Sequence, residues 1–90
     1  MERIQSLLRV GQTRKLIPVN STYLSQIGWQ PPEVDSIVGA LWVQFVKDGV
    51  TGFYQDVPKE IFEGLKDSPS KGRYLRDYVI KQGYTFTRTN

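Results

Sequence analysis

The 90-residue chain has neither cysteine nor histidine. Without cysteine it has no disulfide, no zinc–thiolate centre and no thiol nucleophile. Without histidine it lacks the commonest general base and the commonest metal ligand. Apolar runs extend over only a few residues, too short to span a bilayer. No apolar stretch of signal-peptide length opens the chain. These absences lead us to expect a soluble, cytoplasmic protein. The length fits one domain, able to bury about 60–65% of the surface its unfolded form exposes. Apolar residues make up only 39% of the sequence, so the 12% that are aromatic must supply much of the core.

The charge that is present is unevenly placed. Residues 1–17 carry Arg3, Arg9, Arg14 and Lys15 against Glu2 alone. Residues 18–67 are acidic, with three lysines against seven carboxylates. Residues 68–90 carry Lys71, Arg73, Arg76, Lys81 and Arg88 against Asp77. Basic ends around an acidic middle point to an anionic partner for one surface rather than general stickiness.

The patterning predicts an α+β domain: a three-stranded antiparallel β-meander followed by two short helices packed on one face. Residues 2–9 place Ile4, Leu7 and Leu8 at helical spacing, and residues 1–17 are expected to form a short helix or docking arm. Residues 19–27 read as a half-buried strand ended by Gly28-Trp29. Residues 36–46 give the strongest strand signal, apolar on both faces, so both faces are expected to be covered. Asp48-Gly49 marks a tight turn into a third strand over residues 50–55. Asp56 is expected near the cap of a first helix, with Pro58 in its first turn and Ile61, Phe62 and Leu65 on its apolar stripe. Ser70 is expected to cap a second helix over residues 71–82, stopped by Gly83. On that helix Arg73, Arg76 and Ile80 fall on one side at spacings of three and four. Residues 85–90 are expected to be a tail or an edge strand.

The order Val19…Ser21…Ile27-Gly28-Trp29, Leu41-Trp42-Val43-Gln44-Phe45, Gly49, Tyr54-Gln55-Asp56-Val57-Pro58 and Ser70-Lys71-Gly72-Arg73-Tyr74-Leu75 resembles the KTSC domain, over about residues 18–84. Domains of that family occur at the C-terminus of some lysyl-tRNA synthetases and as stand-alone bacterial or phage proteins. The resemblance implies the fold, and it brings RNA binding into view by association with the synthetase. The chain departs from the family at two places. Gly52 stands where the first tyrosine of a tyrosine–any–tyrosine motif belongs, with Tyr54 matching the second. Trp29 stands where a tyrosine is usual.

One segment concentrates ligand-binding chemistry: Ser70, Lys71, Gly72, Arg73, Tyr74 and Arg76. A helix start exposes unpaired N–H groups, two cations flank it, and a glycine admits an anion close to the backbone. Tyr74 would stack on an attached base or sugar. The plainer reading makes Ser70 only a cap, Gly72 a turn residue and Tyr74 core. Tyr54 and Trp29, with Tyr23 and Trp42, are further aromatic contact candidates, though Trp42 reads better as buried or at a dimer interface.

Catalysis has little support. Asp48 is explained by its turn and Asp56 by its cap, and Ser70 and Lys71 are sequence neighbours that need not face each other. No catalytic residue, metal site or cofactor is therefore expected. The reading is a small non-enzymatic binding module for RNA or another phosphate-bearing ligand. Two other readings stand beside it: a protein-interaction or inhibitor module acting on a host protein, and a nucleotide pocket shared by a homodimer.

Overall fold

The computed structural model describes residues 15–32 and 37–90. Its centre is one antiparallel sheet of five strands in sequence order: β1 (Lys15–Pro18), β2 (Leu24–Gln30), β3 (Val38–Phe45), β4 (Thr51–Pro58) and β5 (Phe86–Arg88). Two helical segments lie between β4 and β5. The first is α1 (Lys59–Asp67). The second is α2 (Lys71–Leu75), which continues directly into a π-helical turn over Arg76–Ile80.

The α+β class and the meander are as expected, but the strand number is five, not three. Residues 15–17, assigned to an N-terminal arm, instead form a strand with Pro18 that pairs with β2, setting Ile17 opposite Ile27 and Pro18 opposite Gln26. Proline is tolerated there because an edge strand leaves one row of N–H groups unused. The expected helix over residues 2–9 lies outside the described residues. The strand expected at residues 19–27 is displaced to Leu24–Gln30, because residues 20–23 form a turn. In that turn the Ser21 hydroxyl accepts the N–H groups of Tyr23 (3.1 Å) and Leu24 (3.2 Å). At the other end Phe86–Arg88 forms the edge strand rather than a tail, pairing with Gly52–Tyr54.

The β3–β4 hairpin follows the sequence signal. Gly49 has φ 72°, the Asp48 carboxylate accepts the Val50 N–H at 3.1 Å, and Phe45 donates to the Val50 carbonyl at 2.9 Å. Asp56 departs from it. It belongs to β4, with φ 60°, and caps nothing. Gly39 pairs with Val57 while Leu41 pairs with Tyr54, so β4 carries one extra residue at Gln55-Asp56. This is a β-bulge with its left-handed residue filled by an aspartate, one of the few L-residues that tolerate it. The residue preceding α1 is Pro58, which has no side chain able to cap.

The core lies between the sheet and the helices. Leu24, Ile27, Leu41, Val43 and Val57 from the strands meet Leu65, Leu75 and Val79 from the helices, all with no exposed surface. Each such side chain contributes about 1.5–3 kcal/mol over its exposed state. Along β3 the alternation sends Leu41, Val43 and Phe45 toward this core. Trp42 points to the other face, stacks on Phe53 at 4.8 Å and donates its indole N–H to Gln30 Oε1 at 3.0 Å. It is buried there too, at 5% exposure. On that face Gln26 and Ser25 both donate to Gln44 Oε1, and Gln44 donates to Thr51, joining three strands side by side.

Candidate functional site

The β1–β2 turn and the start of α2 border a groove of about 780 Å³. One wall is Asn20, Ser21, Thr22 and Tyr23; the other is Pro69, Ser70, Lys71, Gly72, Arg73, Arg76 and Ile80. Five of the six residues singled out around Ser70 therefore meet in one place. Among the described residues the lining holds three cations and no carboxylate. That imbalance follows from the helix period. Arg73, Arg76 and Ile80 recur at three and four residues and share the face turned to the groove, while Leu75 and Val79 face the core.

The cations are held differently. Lys71 is half-buried and donates Nζ to the Ser68 carbonyl at 2.8 Å, which ties it to the turn before the helix. Arg73 is exposed and makes no ion pair among the described residues. Arg76 lies 3.4 Å from Asp77, an exposed pair worth little in water. Lys81 also turns to Asp77, at 3.8 Å. The basic run thus does not form a continuous stripe: Arg73 and Arg76 serve the groove, and Lys81 serves Asp77.

Two expectations at the helix start are corrected. The Ser70 side chain makes no cap hydrogen bond; its carbonyl accepts the Tyr74 N–H at 3.0 Å, and its own N–H is satisfied by the Ser68 hydroxyl at 3.1 Å. The space above Gly72 is taken by a side chain. A Cβ at position 72 would stand 3.0 Å from the Tyr23 Cβ, so the glycine admits the tyrosine.

Tyr74 does not reach the groove. It turns to α1, where a Cβ on Gly64 would meet its hydroxyl and ring, and it packs on Tyr78 with centroids 4.6 Å apart. Burial, and next the neighbouring Tyr78, push its pKa up. The other two aromatic candidates are also structural. Tyr54 is 5% exposed within the core, and burial, followed by proximity to Tyr23, raises its hydroxyl to about 12. Trp29 stacks on Phe62 of α1 at 6.2 Å and 28°. The ring that does line the groove is Tyr23, 43% exposed. The signal for it was the turn chemistry of Asn20-Ser21-Thr22, which places a side chain at the mouth of a hairpin.

Gly52 also has a structural account. A Cβ there would stand 2.5 Å from the Phe86 ring and 2.3 Å from the Thr87 carbonyl oxygen. Phe86 leans over the glycine, 4.8 Å from Tyr54 and 6.0 Å from Phe45. An aromatic from β5 thus fills the place above position 52.

Among the described residues there is no cluster of acidic groups able to hold a metal ion, and no helix long and apolar enough to cross a membrane.

Comparison with known proteins agrees with this architecture. Among curated proteins, none matches the chain. The crystal structure of a KTSC domain protein from Yersinia pestis superposes with a TM-score of 0.69 at 29% identity, covering 84% of this chain and 97% of that one. The family model for the KTSC domain matches residues 20–84, which span both walls of the groove, and the chain belongs to the KTSC domain family.

Proposed function

We propose that the chain is a non-enzymatic binding module for RNA, engaged through its phosphates by Arg73, Arg76 and Lys71 in the groove beside α2. The observation that carries this reading is the lining itself: among the described residues, three cations, several hydroxyl and amide groups, and no carboxylate. An anion entering meets positive charge from one wall and hydrogen-bonding groups of Asn20, Ser21 and Thr22 from the other. Arg73 is the most available partner, since an arginine fork matches two phosphate oxygens and no described carboxylate engages it. Arg76 gains by exchanging an exposed ion pair for a phosphate, because its present partner is weakly bound in water.

The acidic stretch on α1, with Glu60, Glu63 and Asp67, lies outside the groove lining. It biases an approaching polyanion toward the α2 side. Binding of this kind is salt-sensitive, because each neutralised phosphate releases counterions. Titration of labelled single-stranded RNA into the protein at two salt concentrations tests it. A steep fall in affinity with salt, reduced by replacing Arg73 and Arg76, is the expected result.

A further inference from the structure

Among the described residues Tyr23 is the only aromatic of the groove lining, and it is held from several sides. Its N–H is taken by the Ser21 hydroxyl at 3.1 Å, and its carbonyl accepts the Val46 N–H at 3.0 Å. The Phe45 ring meets it edge-on, with centroids 5.4 Å apart at 69°. Gly72 fits against its Cβ and Cγ at 3.0–3.2 Å from where a Cβ would be. Tyr23 is held in place and 43% exposed, so its ring is presented to the groove.

Its neighbours define what would cover it. Gly72, which touches it, and Arg76 are four residues apart and lie one above the other on the helix, about 6 Å along its axis. A flat apolar surface and a cation one helical turn apart match a nucleotide, whose sugar separates a flat base from its phosphate by a similar span. Ile80, 42% exposed in the same lining, extends the apolar part of the groove beyond Arg76.

We propose that Tyr23 is a stacking platform for one unpaired base of a single-stranded nucleic acid, with the adjoining phosphate held by Arg73 and Arg76. This rests on the phosphate-binding groove and adds the base to it. In a duplex both faces of every base are covered by neighbours, so the platform selects single strands. Stacking tolerates any base, so the selection is by strandedness and not by sequence.

The test uses fluorescence anisotropy with a labelled single-stranded RNA of about ten nucleotides, an abasic ribose-phosphate strand of equal length and an RNA duplex. The wild-type chain should bind the RNA strand roughly 5- to 150-fold more tightly than the abasic strand, the range for loss of one base–aromatic stack. Tyr23→Phe should bind like wild type, and Tyr23→Leu should fall to the abasic level while keeping the wild-type far-UV circular dichroism. Equal affinity for RNA and abasic strands overturns the stacking platform and needs no variant to show it. If that equality comes with a loss on Arg73→Ala/Arg76→Ala, the phosphate groove stands without the stack. If no strand binds, the groove reading fails and the stack with it.

Discussion

Phe86 of β5 lies over Gly52 of β4, so close that a Cβ on the glycine would stand 2.5 Å from the ring. The glycine is the second residue of β4, within the strand, where it costs backbone entropy, and the packing of β5 supplies the compensation. The Phe86 ring bridges Tyr54 and Phe45, and Tyr54 packs in the core. β5 is only three residues long; this contact, its ladder and the hydrogen bonds of the flanking Thr89 and Asn90 to Thr51 and Gly49 keep it in place.

Gly52→Ala should therefore destabilise the fold by about 2 kcal/mol or more, since the clash includes the Thr87 backbone as well as the ring. Alanine would otherwise be favoured in a strand. Chemical denaturation measures the loss. Amide exchange should show it concentrated in β5 and its ladder with β4.

Asp56 predicts a backbone effect. Its φ of 60° is costly for most side chains and free for glycine. Asp56→Gly should leave stability unchanged or raise it slightly. Asp56→Val should lower it by about 1–2 kcal/mol, because a β-branched residue resists the left-handed region. A helix-cap role for this carboxylate would give the reverse: loss on Asp56→Gly and no special penalty for valine.

The buried tyrosine sets a pH limit. Burial raises the Tyr54 hydroxyl to about 12 in the folded chain, against its ordinary value near 10 when unfolded. Above pH 10 the unfolded chain releases this proton and the folded chain keeps it, so unfolding gains. The stabilisation from keeping Tyr54 neutral is complete below pH 10 and is lost as pH rises toward 12. Two pKa units correspond to roughly 3 kcal/mol. The melting temperature should fall steeply from pH 10 to 12, and Tyr54→Phe should flatten the fall. A residual slope should persist, because Tyr74 is shifted in the same direction by burial and by Tyr78. At neutral pH Tyr54→Phe should change stability by less than about 1 kcal/mol, since its hydroxyl makes no hydrogen bond among the described residues.

Much of the architecture was legible because its signals are local. The alternation of residues 38–45, the Asp48-Gly49 turn and the Ile61/Phe62/Leu65 stripe each need only a short window. So does the placing of Arg73, Arg76 and Ile80 on one helical face, which is what assembles the groove. What escaped depends on partners distant in sequence. Lys15–Pro18 has too few residues to show a period and becomes a strand because β2 lies beside it. The bulge at Gln55-Asp56 comes from register against β3. Tyr74 left its expected place for the same reason: Gly64 opens room for its ring on α1, while Gly72 opens room for Tyr23, an aromatic contact candidate from the start.

The proposed role of Arg73 and Arg76 is to bind phosphate in the groove. The direct measurement is the salt dependence of single-stranded RNA affinity, by fluorescence anisotropy, for wild type and Arg73→Ala/Arg76→Ala. Both side chains are exposed, so the double variant should fold normally. The account predicts weaker binding at every salt concentration and a slope of log affinity against log salt shallower by about 1.4, from two phosphate contacts on a single strand. Equal affinities and parallel slopes for the two proteins would contradict it.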